Sequence, residues 1–145
     1  MRTTLLALAL SLAACGGGAI DGTYKSGTEV CDGSDVTSVS PTFTLTIADK
    51  AGTFALAFGP ACSATLQETY DYPKDGQIKI TANSVACTGT GCNAVFGAAC
   101  MPLPPVTTFD YALSGTTLTF SEIAAGPPAD ACVAGKTLVY TMSKQ

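Results

Sequence analysis

The chain has 145 residues, of which 47% are hydrophobic, enough for one domain with a single core. After Arg2 its only cations are six lysines, scattered singly among eleven carboxylates, so this part carries a net charge of −5. A nucleic-acid partner is excluded, because phosphate binding requires clustered lysine and arginine. The chain contains no histidine, which excludes serine–histidine and cysteine–histidine hydrolase chemistry.

The beginning of the chain has the layout of a secretory signal. Arg2 precedes an apolar run over residues 5–10, and the small residues Ala13 and Ala14 follow. The run is far shorter than the ~20 apolar residues that a membrane-spanning helix needs. We therefore predict that residues 1–14 are a signal peptide and that the chain is exported.

A lipid-attachment motif follows the apolar run. Leu12, Ala13, Ala14 and Cys15 resemble the lipobox of bacterial lipoproteins at all four positions. The resemblance implies an acyl chain such as palmitate on Cys15, cleavage just before it, and attachment to the cell envelope. Gly16 stands where inner-membrane lipoproteins often have aspartate, which indicates the outer membrane if the host has one. The alternative is an ordinary secretory signal with a cysteine near its cleavage site.

The rest of the chain divides into a tether and one domain. Residues 15–18 are the lipidated cysteine and a flexible glycine tether, and residues 19–145 are predicted to form a single β domain. Six cysteines remain in that domain: Cys31, Cys62, Cys87, Cys92, Cys100 and Cys132. In an oxidising compartment they predict three disulfides, whose pairing the sequence leaves open. A zinc site is the competing interpretation, but the spacing is unsuitable and histidine is absent. We expect neither a metal nor a cofactor.

Alternating hydrophobic and polar residues predict a series of short strands. The cleanest run covers residues 42–47, where Phe43, Leu45 and Ile47 share one face. Other strands are predicted within 20–30, 54–58, 66–72, 78–80, 109–113, 118–120 and 138–142. Residues typical of turns separate many of these runs. About eight strands joined by short turns predict an all-β fold, namely a small antiparallel up-and-down barrel, with a β-sandwich as the alternative.

The first predicted strand carries a second resemblance. Gly22 and Tyr24 resemble the glycine and aromatic motif on the first strand of lipocalin-like barrels, with Asp21 where lipocalins usually have a tryptophan. The resemblance covers these few residues and the strand count, and it identifies no ligand-binding residue.

Two long loops are predicted between the strands. Residues 82–106 contain three cysteines and Pro102, Pro104 and Pro105, so we expect crosslinks to order this segment more than secondary structure does. Residues 123–135 contain Cys132 and are tied either to the first loop or to the barrel. The glycine-rich residues 88–91 lack the lysine of a phosphate loop and are interpreted as a turn.

Few residues are candidates for chemistry. Glu68 shares a face with Leu66 and Tyr70, which points it inward, where burial would raise its pKa. A bulge or the strand end would instead place it in water. A glycosidase-type site needs a second inward carboxylate within roughly 10 Å, and the sequence identifies none. The acidic residues 32–35 lack the further ligands of a calcium loop and are interpreted as a solvated turn.

These observations predict a surface-anchored, non-enzymatic protein with a binding or structural role in the envelope, presenting its loops to a protein or glycan. The alternative is a carrier of a small hydrophobic ligand, which requires an interior cavity on the order of several hundred Å3. We expect the inward aromatic residues to fill the interior instead.

Overall fold

The computed structural model describes residues 20–97, 100–126 and 132–145. Within these residues nine strands form one antiparallel sheet, so the predicted all-β class is confirmed. The strands are β1 (Gly22–Cys31), β2 (Ser34–Asp35), β3 (Thr42–Ala48), β4 (Ala51–Ala57), β5 (Ser63–Lys74), β6 (Gln77–Thr88), β7 (Thr107–Ser114), β8 (Thr117–Ile123) and β9 (Thr137–Lys144). A 3-10 turn covers Thr37–Val39, and a short helix, α1, covers Cys92–Phe96.

The sheet closes on itself. Its order is β2-β1-β3-β4-β5-β6-β7-β8-β9, and β1 also pairs with β9 from Tyr24 opposite Lys144 to Cys31 opposite Leu138. Apart from the two-residue β2, each strand therefore pairs with the next strand of the chain and the last strand returns to the first. Closure removes most of the exposed edges that an open sheet would present.

The inward faces supply the core. Leu45 and Ile47 on β3 are buried as the alternation predicts. The main cluster consists of Ile20, Tyr24, Leu45, Ile47, Tyr70, Ile78, Leu118, Phe120 and Met142. Phe109 stacks on Phe120 with ring centroids 5.3 Å apart, and such pairs add to the free energy of apolar burial. Phe58 packs edge-on against Phe96, outside this cluster.

The two ends of the sheet differ. At one end, the turn end, two-residue turns join β3 to β4, β5 to β6 and β7 to β8. Ile20, the first described residue, and Gln145 lie at the same end. At the other end, the loop end, lie the longer connections 32–41 and 58–62 and the described parts of the connections 89–106 and 124–136. Each of these connections follows a strand that runs away from the turn end.

Three disulfides form, as predicted, and all lie at the loop end. They join Cys31 to Cys132, Cys62 to Cys92 and Cys87 to Cys100. The first answers the question left open about the second loop, because it ties that loop to the end of β1. The other two hold the connection between β6 and β7 against the β4–β5 connection and against β6 itself.

The prediction that residues 82–106 form one crosslinked loop is wrong in its first part. β6 continues to Thr88 and pairs with β5 as far as Ser63. Apart from Val85, the last seven residues of β6 are small or polar, so the sequence lacks the hydrophobic alternation by which a strand is recognised. The twelve-residue β5 supplies the hydrogen-bonding partner that extends β6. Residues 92–96 then form the short helix α1.

Several predicted features lie outside the described residues: the signal peptide (residues 1–14), the lipobox with Cys15, the tether, and residues 127–131 of the second loop. Among the residues that are described, no helix is long and apolar enough to cross a membrane.

Candidate functional site

Glu68 faces the interior, as its alternation with Leu66 and Tyr70 predicts. It is 6% exposed, and its Oε2 accepts a hydrogen bond of 3.0 Å from the Tyr70 hydroxyl. The register shift beside Glu68 leaves the extra residue, Asn83, on β6, so β5 keeps its alternation through Glu68. Burial removes solvent from the carboxylate and raises the pKa of Glu68 to about 7. The carboxyl is therefore poised to exchange a proton near neutral pH.

Tyr70 completes this buried pair. Its own pKa is raised by burial and then by the charge of Glu68, so the phenol stays protonated and donates to the carboxylate. Gly52 on the adjacent β4 makes room for it, since a Cβ there would lie 2.8 Å from the Tyr70 hydroxyl and would overlap the Thr46 carbonyl oxygen. A larger residue at Gly52 would displace either the β3–β4 hydrogen-bond ladder or the buried Glu68–Tyr70 pair.

A second inward carboxylate, Glu29, was missed by the sequence analysis. It is 7% exposed and stands opposite Tyr140 of β9. Simple alternation from Tyr24 places Glu29 outside, but the ladder shifts register between Ser26 and Glu29, which returns the side chain to the inner face. Gly27, isolated in the middle of the strand, is the signal that could have indicated this bulge.

Glu122 lies on the other side of Tyr140. It stands opposite Leu138, and its Oε1 accepts a hydrogen bond of 3.4 Å from the Tyr140 hydroxyl. Glu29 and Glu122 thus flank one tyrosine near the last residues of β1 and β8, at the loop end.

Glu68 lies in a different part of the sheet. It stands opposite Gly52 of β4, Gly52 pairs with Ile47 of β3, and Ile47 pairs with Gly22, the first residue of β1. Among the described residues, the side chain that hydrogen-bonds Glu68 is Tyr70 and not a second carboxylate.

The acidic turn is solvated, as interpreted from the sequence. Asp32 forms an ion pair of 2.9 Å with Lys136, and both side chains are more than half exposed. Asp35 accepts a 2.8 Å hydrogen bond from the Thr37 backbone N–H, and its pKa is lowered by Thr37. Within the described residues no group of three or more cysteine or acidic side chains is placed to hold a metal ion. Asp110 is exposed and accepts a hydrogen bond from Gln77.

The glycine-rich residues after β6 form a turn packed against the preceding loop. Gly91 donates its backbone N–H to the Ala61 carbonyl over 3.0 Å, and Gly89 approaches the same carbonyl so closely that a Cβ would overlap it. Gly89 also has a φ of +114°, which glycine adopts without strain. The Cys62–Cys92 disulfide then pins α1 at this position.

Exposed hydrophobic side chains concentrate at the loop end. Of the six large ones on the described residues, five lie in or beside its connections and only Leu113 belongs to the turn end. The five are 45–67% exposed and comprise Val95, Leu103, Val106, Ile123 and Val133. Contacts to another molecule would remove these groups from water.

Two concavities also open near the loop end. A cleft of about 80 Å3 lies where β1 and β3 separate, lined in part by Ser26, Glu29, Thr37 and Phe43. A broader depression of about 530 Å3 lies between residues 38–42 and 57–59. The aromatic core lines neither of them, apart from Phe43 at the cleft.

Comparison of the chain with models of known families, with curated proteins and with solved structures finds no match in any of the three.

Proposed function

We propose that this protein is an exported, lipid-anchored, non-enzymatic binding domain of the cell envelope, whose loop end contacts a protein or glycan. The observation that carries the proposal is the difference between the two ends. Short turns and both ends of the described chain lie together at one end, while the long connections, the disulfides and most exposed hydrophobic residues lie at the other. Loops held on a rigid sheet are the usual location of binding residues.

The proposed lipid anchor would determine which end of the sheet faces the membrane. In the proposed lipoprotein, four residues separate Cys15 from Ile20, so an extended tether reaches about 17 Å at most. Ile20 is fully buried at the turn end, where its carbonyl accepts a 2.9 Å hydrogen bond from the Tyr24 hydroxyl. A lipid on Cys15 would therefore hold the turn end near the membrane and direct the loop end away from it.

For the architecture we propose an up-and-down β-barrel. The sequential antiparallel pairing and the return of β9 to β1 support a barrel over two packed sheets. The resemblance of residues 21–24 to the first strand of lipocalin-like barrels fits this architecture. The carrier alternative rests on the barrel itself, whose interior could leave room for one small ligand. Packing favours the non-carrier function, because the inward aromatic side chains contact one another. The cleft of about 80 Å3 is much smaller than a carrier needs, and the concavity of about 530 Å3 is an open depression outside the aromatic core.

Site-specific photo-crosslinking of the full chain in its own envelope tests the binding function. A photoreactive amino acid is placed at Ile123 or Val133 of the loop end and, as matched controls, at the exposed turn-end residues Asp75 or Thr116. We expect discrete adducts from the loop-end positions and none from the controls. Adducts that arise equally from both ends would contradict the proposal.

Native mass spectrometry distinguishes the proposed function from the carrier alternative. The Cys15→Ser chain, purified from an oxidising compartment without reductant, is weighed under native and then denaturing conditions. The proposed function predicts the same polypeptide mass in both. A small molecule that is present only in the native spectrum would favour the carrier.

A further inference from the structure

The connection between β6 and β7 ends in an unusual segment. Residues 101–106, here named the proline segment, read Met101, Pro102, Leu103, Pro104, Pro105 and Val106. The β6–β7 ladder stops where Thr107 stands opposite Ile80. Cys100 precedes Thr107 by seven residues and Cys87 follows Ile80 by seven, and a disulfide brings their Cα atoms within 5.3 Å. The proline segment is thus fastened beside β6 at both ends, in line with the ladder.

The prolines prevent this segment from becoming part of β7. Pro102, Pro104 and Pro105 have no N–H to donate to a ladder. Each proline fixes its own φ and pushes the residue before it towards extended or polyproline II conformations. The segment forms no helix, strand or bend. These restrictions together favour a left-handed polyproline II helix.

In that helix, with about three residues per turn, the side chains form regular ridges. Pro102 and Pro105 share one ridge, and Leu103 and Val106 share the next. All four are exposed, with Leu103 at 48% and Val106 at 54%. The Thr107 hydroxyl donates a 3.2 Å hydrogen bond to the Pro105 carbonyl, which steadies the last turn.

We infer that the proline segment is a ligand for a partner protein with an aromatic-lined groove that binds polyproline II helices. Two apolar ridges with proline at every third residue are the surface that such grooves recognise. The disulfide and β7 already hold the segment extended, so binding costs little conformational entropy. None of its six side chains is polar, which favours a protein groove over a glycan. This inference rests on the proposed function and specifies its partner.

The test uses two modules whose aromatic grooves bind proline-rich segments, a WW domain and an SH3 domain. Each is titrated into the full chain carrying Cys15→Ser and labelled with 15N. We expect saturable shifts of the Leu103, Val106 and Thr107 amides at probe concentrations below about 1 mM with at least one module. The P102A/P105A variant should weaken binding roughly tenfold or more. The matched control is P60A, at an exposed proline in a different loop, which should bind as the parent does.

Two results would overturn the inference. One is the absence of shifts in the proline segment with both modules at about 1 mM, while the spectrum shows a folded chain. The other is equal binding by P102A/P105A. Neither result bears on the proposed function, because the crosslinks from Ile123 and Val133 test that function through a different connection of the loop end.

Discussion

At the scale of the residue, burial of Glu68 makes the stability of the sheet depend on pH. The pKa of Glu68 is raised from 4.5 to about 7, mainly because the carboxylate loses solvent, and the hydrogen bond from Tyr70 offsets only part of this. Between those two values the folded chain binds more protons than the unfolded chain. This contribution to stability is therefore complete below about pH 4.5 and is lost as the pH rises through about 7, a difference of about 3 kcal/mol.

Replacing Glu68 by glutamine should flatten that dependence. The amide keeps the size of the side chain and can still accept from the Tyr70 hydroxyl, but it does not ionise. We expect the free energy of unfolding to fall from about pH 5 to about pH 8 by roughly 1 to 3 kcal/mol more in the parent than in E68Q. Urea unfolding at the two pH values measures this, with the exposed Asp110→Asn as control. An unchanged pH dependence in E68Q would show that Glu68 is not the responsible group.

At the scale of the element, the disulfides compensate for loops that contribute little packing. Among the described residues of the loop-end connections few are buried, with Cys62, Cys92, Ala124 and Cys132 among the exceptions. Cys31–Cys132 spans a sequence separation of 101, Cys62–Cys92 one of 30 and Cys87–Cys100 one of 13. A longer closed loop removes more entropy from the unfolded chain.

Paired alanine substitutions should rank the three crosslinks by loop length. We expect C31A/C132A to lower the free energy of unfolding by about 4 to 5 kcal/mol and C87A/C100A by about 3 kcal/mol, with C62A/C92A between them. Urea unfolding of the three variants without reductant gives the order. The reverse order would mean that local packing, and not the entropy of the unfolded chain, determines their contributions.

At the scale of the whole molecule, Ile20 and the loop end lie at opposite ends of one closed sheet, and the proposed anchor, Cys15, precedes Ile20 by five positions in the sequence. In a sequential antiparallel sheet successive connections alternate between the two ends, so an entry point at one end fixes the position of every later loop. The lipid proposed on Cys15 would turn this topological property into a fixed orientation on the membrane.

Substituting Cys15 by serine tests the anchor directly. The thiol that would carry the lipid is lost, while the described domain is untouched. We expect the parent to sediment with membranes and the variant to remain in the soluble fraction after export, because one or two acyl chains supply the binding energy. Labelling with palmitate should disappear in parallel. A variant that still sediments with membranes would refute lipid anchoring through this residue.

Several properties of the fold follow from local sequence pattern alone. Alternation identified β3 and most other strands and placed Glu68 on an inner face, because the two-residue period of a strand needs no knowledge of its partners. The even number of cysteines in the domain predicted three disulfides. The same reasoning fails at a bulge. In β1, Gly27 and the following residue shift the alternation by one position, so Glu29 points to the inner face.

Other features depend on contacts between distant residues and were settled only by the tertiary structure. These are the pairing of β1 with β9, the choice of cysteine partners and the extension of β6 to Thr88 along β5. Each of these contacts joins residues that are far apart in the chain, and the local sequence around either residue does not indicate which partner it has. The gathering of the disulfides and most exposed hydrophobic residues at one end has the same origin, because it arises only when the strands are arranged side by side.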